Sequence, residues 1–165
     1  MHTNFMKKAY KILIAFVIGA TIYPILEILW RGYTHWTMSI TAGICVLLIY
    51  VLSTKAQHLS LWKKCLIGSG IITFIEFIVG CLVNLGLGWA IWDYSGSPVN
   101  ILGQVCLIHS AIWALLCLPI VYLSNFLNSE FSLQSLERRN LIKKDFASAK
   151  SRAARASPRE DVFDF

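Results

Sequence analysis

Residues 66–89 read LIGSGIITFIEFIVGCLVNLGLGW, and the one charge among them is Glu76. A helix rises about 1.5 Å per residue and the hydrocarbon core of a bilayer is about 30 Å thick, so roughly 20 such residues span it. Three more stretches qualify, at about 12–30, 36–52 and 101–123. The second is the shortest and spans by standing upright or by thinning the bilayer. The connections between the four are short. The predicted fold is therefore all-α: an integral membrane four-helix bundle over residues 1–127, with neighbouring helices antiparallel.

The rest of the chain agrees. Of its 165 residues, 56% are hydrophobic and 15% are charged, against about 25% charged in an ordinary soluble domain. Residues 1–127 hold seven Lys or Arg and three Asp or Glu, whereas residues 128–165 hold eight and six. An almost uncharged body thus carries a short, basic tail. This balance argues against a soluble enzyme and against a free nucleic-acid-binding domain; no nucleic-acid partner is expected. The expected partner of the body is the lipid bilayer.

Lys7, Lys8 and Lys11 precede the first apolar run as they would in a signal peptide. No small-residue cleavage pattern follows, and Tyr23, Pro24 and Glu27 do not suit one, so the run is read as a retained helix. Cations cluster at the N-terminus, in the connection holding Lys55, Lys63 and Lys64, and in the tail. The other two loops share only Arg31. By the positive-inside rule, both termini are expected in the cytoplasm of a multi-pass cell-membrane protein. Trp30, Trp36, Trp89 and Trp92 then fall at the outer interface and Trp62 at the inner one, where an apolar ring with a polar N–H sits best.

A charge in hydrocarbon costs at least about 2.5 kcal/mol on insertion scales, so each one needs a reason. Glu76 stands near the middle of its span. Gly80, Asn84 and Gly88 follow at four-residue steps, on one broad helix face. Small and polar stripes let membrane helices approach and hydrogen-bond. Two readings of Glu76 stay open: a hydrogen bonder between helices, or a polar site for a cation, proton or amine. His109 lies at a similar depth on the fourth segment and is a candidate partner of Glu76, and Gln104 is a candidate interhelical hydrogen bonder. Glu76, Asn84, His109 and Gln104 form the predicted intramembrane group.

A second group is predicted at the outer face: Glu27, Arg31, His35, Asp93, Tyr94 and Asn100. Glu27 and Arg31 stand at i,i+4 spacing, which suits an ion pair; Glu27 could also share an outer polar site with Asp93. The loop Trp92–Asn100 is rich in turn formers. Gly96 permits positive φ, Pro98 fixes φ, and Asn100 is placed to cap the fourth helix.

The tail has a candidate short helix capped by Asn128 or Ser129, and its Ala-, Ser- and Arg-rich part from Ala147 onward is expected to be disordered. Its cations suit topology control and anionic headgroups. Cys45, Cys65, Cys81, Cys106 and Cys117 show no ligand spacing and read as small packing residues. No P-loop, no H-E-x-x-H and no G-x-S-x-G occurs. No metal, cofactor or catalytic residue is predicted.

Three runs carry a resemblance. The run EILWRGYTHWTM (27–38), the run ITFIE (72–76) with Gly80 and Asn84, and WDYS (92–95) with Pro98, Asn100 and GQVC (103–106) resemble three blocks of a family of small bacterial membrane proteins. That family is labelled putative ABC-transporter type IV, or putative ABC transporter permease. The blocks cover about residues 20–125, and the tail lies outside them. Many members carry Gly-Gly in the second helix where this chain has Ala42-Gly43. The resemblance implies a multi-pass protein of a bacterial, Gram-positive cell membrane and a transporter role, with no substrate and no catalytic residues to carry over.

Two functions follow as expectations. One is a permease-like component of a transporter that works as a homo-oligomer or with a separate ATPase subunit docked near residues 53–65. The alternative is a non-catalytic interaction, regulatory or holin-like pore-forming protein. An intramembrane enzyme is disfavoured, because Asp93 at the surface and Glu76 would be about 18 Å apart by helix rise.

Overall fold

The structure is a computed structural model that describes residues 2–156. It is mostly helical. Helix α1 runs His2–Arg31, α2 Trp36–Lys55, α3 Leu61–Gly80 and α4 Leu107–Ala156. A π-helical turn, Cys81–Gly86, prolongs α3. Two short antiparallel strands, β1 (Asn100–Ile101) and β2 (Val105–Cys106), pair Asn100 with Cys106 and Ile101 with Val105. Four stretches are long and apolar enough to cross a membrane: Ala9–Arg31, Trp36–Lys55, Leu61–Gly86 and Leu107–Ser129. Helices suit hydrocarbon because they satisfy their own backbone N–H and C=O groups.

The chain divides into two compact units, Met1–Leu127 and Asn128–Phe165. Within the first, small residues set the helix spacing. A Cβ on Gly19 would stand 2.7 Å from the Ala42 carbonyl oxygen, and one on Gly43 2.7 Å from the Phe16 ring. These two positions bring α1 and α2 together. Gly68 does the same for α3 and α4, where a Cβ would meet Cys117 Sγ at 2.8 Å. Two buried clusters result. Ile49, Cys65, Cys117 and Val121 form one; Met38, Val83, Ile91 and Trp92, with Tyr23, Val79 and Tyr94 against them, form the other. Leu13, Val17, Ile25, Leu115 and Tyr122 lie on the exterior, as suits a surface that faces lipid.

Residues 87–106 depart from expectation. The third segment was predicted helical to Trp89 and the fourth from Ile101, yet regular helix stops at Gly86 and resumes at Leu107. The π turn closes with Leu87 N–H on Leu82 O and Trp89 N–H on Val83 O, and Gly88 then takes φ +70°. Ala90, Val99, Leu102 and Gly103 also have positive φ, whereas Gly96 does not. Hydropathy registers that these residues are apolar and not whether they are helical, so the hairpin was hidden from it.

Three capping and interface expectations are corrected by the same segment and by α4. Asn100 lies in β1 and does not cap the fourth helix. No helix starts at Asn128 or Ser129, because α4 runs through them. Trp92 is 3% exposed and belongs to the core, while Trp30, Trp36, Trp62 and Trp89 are exposed. In the second unit, α4 continues to Ala156 through residues 147–156, which the sequence reading gave as disordered. Residues 157–165 of that expectation lie outside the described residues.

Candidate functional site

Glu76 stands one turn before the end of α3 and is 3% exposed. Both carboxyl oxygens are engaged. Trp113 on α4 donates its indole N–H to Oε2 at 2.8 Å. The Tyr94 hydroxyl donates to Oε1 at 3.2 Å. An acid inside a low-dielectric bundle needs such donors, because leaving it bare costs several kcal/mol.

Tyr94 reaches Glu76 because the 87–106 segment folds against the helices. Asn84, in the π turn, ties it there. Its carbonyl accepts the Ile91 N–H at 2.8 Å, and its amide donates to the Trp92 carbonyl at 3.0 Å and to Gln104 Oε1 at 2.8 Å. One side chain thus supplies the partners that irregular backbone lacks. Gln104 Nε2 donates to the Leu102 carbonyl at 2.9 Å, and Trp92 Nε1 donates to the Gln104 carbonyl at 2.9 Å. The absence of a side chain at Gly80 makes room: a Cβ there would stand 2.6 Å from Gln104 Oε1.

His109 is not paired with Glu76. Its ring stacks on Tyr94 at 4.2 Å between centroids, and its Nδ1 lies 3.1 Å from Cys106 Sγ. Tyr94 therefore stands where the expected acid–imidazole contact would have been. It also leaves the outer-face group to which the sequence assigned it. Burial, and after it the Glu76 carboxylate, raise the Tyr94 phenol above its ordinary pKa.

The rest of the outer-face group divides. Arg31 donates to Glu27 Oε1 at 2.8 Å, to the Tyr33 hydroxyl at 2.7 Å and to the Ile91 carbonyl at 2.8 Å. Thr34 donates to the other Glu27 oxygen at 2.5 Å. This cluster closes the α1–α2 turn and fastens it to the hairpin segment through Ile91. His35 works beside it as the N-cap of α2, accepting from Thr37 N–H at 3.4 Å, with its ring near Trp36 and Trp89.

Asp93 does not share a site with Glu27. Its carboxylate accepts from Ser95 N–H at 2.8 Å and Ser95 Oγ at 2.9 Å, an Asx turn that starts the hairpin. Asn100 holds the other side of the turn, donating to the carbonyls of Ser95 and Ser97 and accepting from Gly103 N–H. Among the described residues no three His, Cys, Asp or Glu gather as metal ligands would.

Sequence reasoning missed Trp113, Tyr33 and Thr34. For Trp113 a signal existed. It is the sixth Trp, the one that no interface accounts for, and a buried indole N–H requires an acceptor.

A family model described as putative ABC-transporter type IV matches residues 14–142. The chain belongs to that family. No curated protein and no solved structure matches it.

Proposed function

We propose that this family member is a permease-like, non-catalytic membrane component of a transporter, working as an oligomer or beside a separate ATPase. The match over residues 14–142, which takes in the membrane body, carries the reading. The polar network adds a physical argument. Glu76, Asn84, Gln104, Glu27 and Arg31 are bonded within the body, Glu76 to Trp113 and Tyr94 and the others to one another or the backbone. A path for a polar solute then has to be formed against another subunit.

The cation distribution supports antiparallel helices with both termini and the α2–α3 connection in the cytoplasm. Lys55 and Lys63 are exposed beside that connection and suit an acidic patch on an ATPase. The test is affinity purification of the tagged full chain from its native membrane in mild detergent, with mass spectrometry of what accompanies it. The expected result is a stoichiometric ATPase with the wild type, lost in Lys55→Glu/Lys63→Glu. Recovery of the chain alone as a homo-oligomer would overturn the ATPase partnership and favour a self-assembling regulator or pore, which dye release from liposomes would then distinguish.

A further inference from the structure

The four helices line a crevice of about 200 Å³ that reaches Glu76 and Trp113. Its back wall is buried: Met38, Thr41 and Cys45 from α2, Glu76 from α3 and Trp113 from α4. Its rim is Ile22 and Leu26 on α1, about half exposed, and Pro119 on α4, also exposed. The mouth therefore opens sideways between α1 and α4. It opens onto the apolar exterior formed by Val17, Ile25, Leu115 and Tyr122.

The wall is almost wholly apolar, and most of its polar groups are already bonded. Both Glu76 oxygens are taken by Tyr94 and Trp113, the Trp113 N–H is spent on Glu76, and the Thr41 hydroxyl donates to the Thr37 carbonyl at 2.8 Å. A dry apolar space this large takes an apolar guest: a cavity of about 150 Å³ already binds benzene. It is too small for a lipid headgroup with its chains, since sites for drug-sized molecules begin near about 300 Å³. At a sideways mouth in a membrane the available chemistry is hydrocarbon.

We infer that the crevice between α1 and α4 holds a segment of one acyl chain of a membrane lipid, inserted from the side with its headgroup left outside. The inference is independent of any transporter activity. The guest packs against Tyr23, Cys45, Leu116 and Ile120, with the bonded Glu76–Trp113 pair in the back wall.

The test uses the full chain in liposomes containing a phosphatidylglycerol with a diazirine near the middle of one acyl chain. After irradiation, adducts are mapped by mass spectrometry. The expected result is adducts at the lining residues Tyr23, Cys45 and Leu116, above those at exterior Leu13 and Leu115. Leu116→Trp, which fills the crevice, should remove the interior adducts and leave the exterior ones. If that variant does not fold, Cys45→Leu fills the same space from α2. Adducts confined to the exterior in the wild type would overturn the inference. So would interior adducts that survive a folded crevice-filling variant.

Discussion

The two buried clusters hold their helices by different means. The one around Ile49, Cys65, Cys117 and Val121 is apolar, and it closes because Gly68 lets Cys117 approach α3. The one around Met38, Val83, Ile91 and Trp92 is bordered by Asn84, Gln104, Glu76 and Arg31, each bonded to a named partner. Between helices already in lipid there is little hydrophobic drive, so packing of small residues and hydrogen bonds must do the holding. The bundle uses the first at one cluster and the second at the other. Polar contacts gather where the backbone stops being helical, and a few more, Ser69 and Thr73 with Ser110 and Trp113 with Glu76, join α3 to α4 within regular helix.

The sharpest way to break this contrast is Glu76→Leu. It leaves the Trp113 N–H and the Tyr94 hydroxyl without acceptors, and should lower stability by about 3 kcal/mol. Glu76→Gln retains an acceptor and should cost less than half of that. Chemical denaturation in detergent, followed by circular dichroism, would measure both. Equal losses would mean that the site needs the acid itself and more than its hydrogen bonds.

Asn84→Ala should follow, at about 2 kcal/mol, since the Ile91 N–H and the Trp92 carbonyl lose their partner. Amide exchange should quicken in residues 87–93 and stay unchanged near Ile49. Exchange that rises evenly across the bundle would show the two clusters to be one cooperative unit.

Gly68→Ala tests the apolar cluster. The added methyl meets Cys117 Sγ, and a loss of about 1.5 kcal/mol is expected from overpacking. Gly68→Ala/Cys117→Ala should recover most of it, because the contact is with that sulfur. A double variant no better than the single one would place the strain in the helix backbones.

The smallest effect concerns Tyr94 and pH. Its phenol is raised above the ordinary value of about 10. A group raised in the folded state contributes stability that is present below the unfolded pKa and is lost as pH climbs through the folded one. Stability should thus decline above about pH 10, and Tyr94→Phe should flatten that decline while costing under about 1 kcal/mol at neutral pH. An unchanged alkaline limb in the variant would assign the decline to other groups.

Much of the membrane body was legible in the sequence, and the reason is simple. Span length and charge placement are linear properties, so the four apolar helices could be counted directly. Glu76, Asn84 and Gln104 could be recognised as residues that need partners for the same reason: polarity in an apolar run is local. Who those partners are is not local. Tyr94 follows Glu76 by 18 residues and Trp113 by 37, and nothing in the spacing reveals that a loop read as lying outside turns inward. The expected distance between Asp93 and Glu76 assumed straight helices up to that loop. The π turn and the positive φ values at Gly88 and Ala90 break that straight path.

The 37 residues between Glu76 and Trp113 also impose an order on biogenesis. Chain growth delivers α3 to the bilayer while the indole that caps its carboxyl has yet to be synthesised. Until then the half-made protein carries within the membrane an acid that lacks its indole donor, a costly state that marks it as unfinished. Arrival of α4 both completes the bundle and removes that mark. A chain ending before residue 113 should therefore be short-lived even though its first three helices can insert.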